Sequence, residues 1–176
     1  MIEILEAFKP LLLVLLGSLT AILGGFFQFR VSDKSRKITL LSNKLERAYE
    51  LCQLIYDGHK REINNARIFL PYNPDKYAEQ RNHPGMEMSE LKMLIRAYMP
   101  DLNPQLENLD KGHKPLKKSF NTLDQAVAQG LFGTTRTFTI LQADRDSRKW
   151  DDYLALLSKG SFELKKSLEE RMSKLV

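Results

Sequence analysis

One cysteine, Cys52, among 176 residues excludes an intrachain disulfide and any cysteine-based zinc site, and it fits a reducing compartment. Histidine is nearly as scarce, with three in the chain. Neither His-x-x-x-His nor Glu-x-x-His spacing occurs, so no metal and no cofactor is expected. A glycine-rich phosphate loop, a G-x-S-x-G elbow and a cysteine activated by a nearby histidine are all missing. Catalytic motifs are absent rather than degraded, so the chain reads as a non-enzyme with no evident small-molecule substrate. No repeat or low-complexity tract is present. Asp144, Asp146, Asp151 and Asp152 gather near the last helix, but they alternate with Arg145, Arg148 and Lys149, which predicts mutual ion pairing rather than a divalent cation.

Charge is not concentrated either. The formal net charge is +5, and from Arg30 onward 26 basic residues face 20 acidic ones. Scattered cations among nearly as many acids describe a solvated surface rather than a nucleic-acid footprint. The most basic stretch runs from Lys111 to Lys118 and contains Lys111, Lys114, Lys117 and Lys118. Its one nearby aromatic, Phe120, belongs to an apolar stripe, so the stacking groups of a single-strand binder are lacking. That patch predicts a solvated face or an acidic protein partner, and nucleic acid is disfavoured.

What the chain does have is one long uncharged run. The mean hydropathy of −0.36 averages a very apolar segment with a polar remainder. Residues 10–29 read PLLLVLLGSLTAILGGFFQF, with Ser18, Thr20 and Gln28 as the polar side chains. About 20 helical residues span about 30 Å, the thickness of a bilayer's hydrocarbon core. A secretory signal wants a basic start and a shorter apolar core, whereas Glu3 and Glu6 stand here against Lys9. The expectation is therefore a transmembrane helix over 10–29, single-pass, in a cell (inner) membrane. Arg30, Lys34, Arg36 and Lys37 crowd its C-terminal flank. Flanking cations are retained on the cytoplasmic side, so residues 1–9 are expected outside and 30–176 in the cytosol. The same four cations either mark topology or hold anionic lipid head groups. Gly17, Ala21 and Gly25 recur every four residues and permit close helix packing in lipid, which predicts a homo-oligomer. No charge lines that face, which argues against a hydrophilic pore.

The remainder is patterned as helices. Ile38, Leu41, Leu45, Ala48, Cys52 and Ile55 alternate spacings of three and four, and the stripe passes His59 to Ile63, Ala66 and Leu70. That helix should stop at Pro71. No breaker separates it from the apolar run, so the two should form one rod of roughly 60 residues, about 90 Å long. Gly58 is its weakest interior point. Residues 71–85 are dense in Pro, Asn and Gly and read as a loop. A short helix follows, with Met88, Leu91, Leu94, Ile95 and Tyr98 inward, then a loop near 99–103. Asn103 and Pro104 mark the next start, and its stripe is Leu106, Leu109, His113, Leu116, Phe120, Leu123 and Val127. Pro115 should kink or split this helix near Gly112. Gly130 and Gly133 mark a turn over 130–135, and residues 134–140 read as a loop leading into helix. From Trp150 the stripe returns through Leu154, Leu157, Leu164, Leu168, Met172 and Leu175, with Lys165–Glu169 and Lys166–Glu170 paired outside. Gly160 is a candidate bend.

Amphipathic segments of this kind bury their stripes against one another, so the fold class is all-α, an antiparallel helical bundle behind the apolar helix. His59 and His113 occupy stripe positions where apolar residues belong. Either they face each other as a buried, pH-sensitive pair, or each lies at the core edge with one nitrogen hydrogen-bonded. His83 enters no motif. Three functions are weighed. The first is a membrane-tethered interaction module that self-associates and binds a cytosolic protein. The second is a membrane-damaging effector whose spans cluster, and the third an anchored nucleic-acid or nucleotide binder.

Overall fold

The computed structural model describes residues 2–81, 83–129 and 136–175, and the side chains of residues 2–17 and 136–148 lie outside that description. Every described element is helical. In chain order they are α1 (Ile2–Phe69), α2 (Pro74–Gln80), α3 (Gly85–Tyr98), a 3-10 turn (Pro100–Leu102), α4 (Asn103–Ala128) and α5 (Arg136–Met172). Backbone contacts divide the chain into two units, Met1–Ser42 and Asn43–Val176.

In the first unit the described side chains from 18 to 37 are exposed, among them Leu19, Ile22, Leu23, Phe26, Phe27, Phe29 and Val31. Arg30 folds back over the Phe26 ring at 4.8 Å, and Lys37 pairs with Asp33 at 2.8 Å. Among the described residues, no helix is long and apolar enough to cross a membrane. The expected span begins at Pro10, and residues 10–17, Gly17 among them, lie outside the described side chains.

The second unit is a four-helix bundle. The C-terminal part of α1 buries Leu45, Ala48, Cys52, Ile55, Ile63 and Ala66 as its spacing predicts, with Leu51 widening the stripe. At Pro71, which has no amide hydrogen, the helix has already closed with Asn73 N–H donating to the Phe69 carbonyl at 2.7 Å. Residues 71–85 are not a plain loop. The Asn73 side chain accepts from the Lys76 amide at 3.1 Å, Pro74 fills the first turn, and Tyr77 is fully buried, so a short helix is capped and pinned there.

Three further expectations are corrected. Tyr98 is 44% exposed and Met99 takes the buried place, because the chain leaves α3 for the 3-10 turn at that point. Asn103 is already helical, and its amide donates to the Pro100 carbonyl, so the turn rather than an asparagine side chain opens α4. Helix α4 runs through Pro115 as one element. Its buried stripe continues on both sides, Leu109 and His113 before the proline and Leu116 and Phe120 after it, and packing of that stripe holds the helix together.

Cross-helix contacts fix the directions. Gln53 and Arg67 of α1 meet Lys165 and Asp151 of α5, so these helices are antiparallel. Arg47 of α1 meets Glu90 of α3, while Gly58 lies against Pro84 just before α3, which makes that pair antiparallel too. Asn108 of α4 bonds Glu163 of α5 at 3.2 Å, and Gly112 lies against Leu157. Helices α1 and α4 are thus parallel and α3 and α5 oppose them, in the antiparallel bundle arrangement.

The α4–α5 crossing depends on two glycines. A Cβ added at Gly112 would come within 2.5 Å of the Leu157 backbone, and one at Gly160 within 2.6 Å of Leu109. Each glycine receives the other helix's backbone, so neither is a bend or a weak point. Gly58 similarly accommodates the Pro84 ring.

A buried histidine cluster as candidate functional site

His59 on α1 and His113 on α4 are brought together. His59 Nε2 lies 2.9 Å from His113 Nδ1, and both side chains are buried. One nitrogen must carry the shared proton. If His113 donated, His59 Nδ1–H would be a buried donor without a partner, because that atom has none. The favoured tautomer has His59 Nε2–H donating to His113, which leaves a lone pair rather than an N–H unpaired.

Both rings are held neutral. Burial pushes His59 down to about 3, with His113 and His83 adding to it. Burial likewise pushes His113 down to about 4; Asp110 opposes this, while Lys92, Lys117 and Lys114 reinforce it.

Around this pair is a second set of polar groups that sequence spacing did not single out. The Glu62 carboxylate is 1% exposed and accepts from the Tyr77 hydroxyl at 3.0 Å. Burial raises the Tyr77 phenol above its usual range, with Glu62 and Asp124 adding to the effect. His83 Nε2 donates to Asp124 at 2.8 Å, and its other nitrogen is 3.8 Å from Glu62. Arg81 reaches Asp124 at 2.9 Å. The Phe120 ring lies among them, 6.2 Å from His59, 5.8 Å from His83 and 5.6 Å from Trp150, centre to centre. The signal in sequence was thin: one helical turn separates His59 from Glu62, but Tyr77, His83 and Asp124 join only through the fold.

The other predicted residues lie elsewhere. Lys114 pairs with Asp110 at 2.8 Å, Lys92 reaches the same carboxylate at 2.9 Å, and Lys111 donates to Asn108, while Lys117 and Lys118 are exposed. Burial pushes the Asp110 carboxyl up, but the bonds from Lys114 and Lys92 outweigh it and hold it below the usual range. That pairing reduces the charge the patch presents to a partner. Ala21 and Gly25 are exposed, and Arg30, Lys34, Arg36 and Lys37 are exposed along the same helix.

Chemically, the cluster is a set of bases sharing protons inside a bundle. Cys52 adds no nucleophile, since burial raises its thiol to about 12. Among the described residues, no group of three His, Cys, Asp or Glu side chains is arranged to hold a metal ion. The fold and site together define an all-α bundle with a polar, histidine-centred core. Comparison with protein-family models, with curated proteins and with solved structures finds no match.

Proposed function

We propose that the chain is a single-pass membrane-tethered interaction module, with the bundle on the cytosolic side and the apolar segment 10–29 in lipid, where Gly17, Ala21 and Gly25 pack spans together. The carrying observation is the 20-residue uncharged run followed by Arg30, Lys34, Arg36 and Lys37. Supporting it, the apolar side chains from Leu19 to Val31 are exposed rather than folded into a core, an unusual cost in water. The bundle closes its own core without them. A tether raises the local concentration of the bundle for any partner held in the same layer.

The experiment is fractionation of cells expressing the full chain, with alkaline extraction of the membranes and protease treatment of sealed spheroplasts. The expected result is a chain that stays in the pellet with its bundle protected. A folded, monomeric protein in the detergent-free supernatant ends this reading. Loss of membrane potential on expression, dependent on Gly25, would instead make the chain a membrane-damaging effector.

A further inference from the structure

A groove of about 320 Å³ runs along the outer seam between α1 and α5, within the bundle unit. Its α1 wall carries Tyr49, Gln53 and Tyr56, and its α5 wall carries Phe162, Lys165, Lys166 and Glu169. We infer that this groove is a binding site for a phosphorylated ligand with a planar ring, of the nucleotide class.

Helical spacing leads one to expect Lys165 and Lys166 in ion pairs with Glu169 and Glu170 on the same helix. Neither pair forms. Lys165 instead crosses the groove, donating to Gln53 Oε1 at 2.8 Å with its ammonium 4.3 Å above the Tyr49 ring. Lys166 is exposed, and among the described residues it has no ion pair. Two cations are therefore presented at one end of the groove without a bonded carboxylate, which suits a phosphate.

The ring end is supplied by aromatics. Phe162, 70% exposed, presents its ring at the groove. Tyr56 stands seven residues along the same α1 face from Tyr49, whose ring Lys165 covers at the cationic end, and the separation of about 10 Å matches the reach from a base to the phosphates of a nucleoside diphosphate. Bases stack on such rings whatever their identity. The volume falls in the small-ligand range. Glu169 opposes the assignment at the cationic end, and its removal gives the test a direction.

The site does not depend on the membrane reading, so its failure leaves that reading untouched. Full-chain protein in detergent is titrated calorimetrically with ADP, GDP and UDP, and separately with pyrophosphate and adenosine. At least one nucleotide should bind saturably and more tightly than pyrophosphate or adenosine, and its affinity should fall as salt rises. Lys165→Gln or Lys166→Gln should weaken it about tenfold each, one charge-assisted contact apiece. Phe162→Ala should also weaken it, Glu169→Gln should tighten it several-fold, and Lys117→Gln on α4 should leave it unchanged. Absence of saturable binding up to millimolar nucleotide overturns the inference. So does pyrophosphate binding as well as the nucleotide, or an affinity that Lys165→Gln and Lys166→Gln leave unaltered in variants that melt like the parent.

Discussion

The imidazoles of His59 and His113 meet edge to face, ring centres 5.0 Å apart, and a single hydrogen bond joins two helices that run parallel through the bundle. Two bases facing each other this way accommodate one shared proton, and a second proton would place like charges in contact inside the core.

Acid should therefore loosen the bundle. Both histidines have folded pKa values, about 3 and about 4, below the unfolded 6.5, so the unfolded chain binds protons first. Their contribution is fully present above 6.5 and is lost as the pH falls from there toward 4. By pH 5 each imidazole should cost roughly 2 kcal/mol of stability. Urea midpoints measured from pH 8 to pH 4.5 should show this, and the double variant His59→Leu with His113→Leu should flatten the curve. An unchanged slope in the double variant would assign the acid sensitivity to other groups.

Tyr77→Phe should destabilise the bundle by about 1–3 kcal/mol, since it removes a donor from the buried Glu62 carboxylate while keeping the ring. Because Tyr77 also pins α2, hydrogen exchange at 74–80 should rise more than exchange in α4. Equal protection in both helices would mean that α2 is held by something other than this phenol.

Gly112→Ala and Gly160→Ala should each lower stability by about 1–3 kcal/mol, overpacking outweighing the better helix propensity of alanine. Nothing lies within 4 Å of a Cβ at Gly85, so Gly85→Ala is the matched control and should melt like the parent. A neutral Gly160→Ala would show that α4 and α5 separate without cost.

Gly25 lies in the first unit, outside the bundle. Gly25→Leu should leave bundle melting unchanged, because no atom lies within 4 Å of the added Cβ. It should also reduce chemical crosslinking between copies in native membranes, if spans pack through their small residues. Crosslinking that survives the substitution would place self-association elsewhere.

Much of this fold was legible because spacing of three and four residues reports one helix face directly, and it placed Leu45, Ile55, Leu109 and Leu157 in the core. His59 and His113 were visible as polar residues on apolar stripes, and they do meet. What stayed hidden needed knowledge of which helices are neighbours. Gly112 reads as the place of a proline kink and Gly160 as a bend until their partners are known to be Leu157 and Leu109. His83 looks inert until the fold places it between Asp124 and Glu62. Lys165 passes over a local glutamate for a ring and an amide on another helix, which no local pairing rule anticipates. The short helix over 74–80 was obscured by Pro74 and Asn73, which serve there as starters rather than breakers.

The antiparallel course of α1 and α5 also determines how the bundle answers a pull. Residue 43 and the end of α5 lie at the same end of that seam, since Gln53 faces Lys165 while the distant Arg67 faces Asp151. Traction between them peels the seam open one contact at a time, the Lys165 bridge first and the Arg67 bridge last.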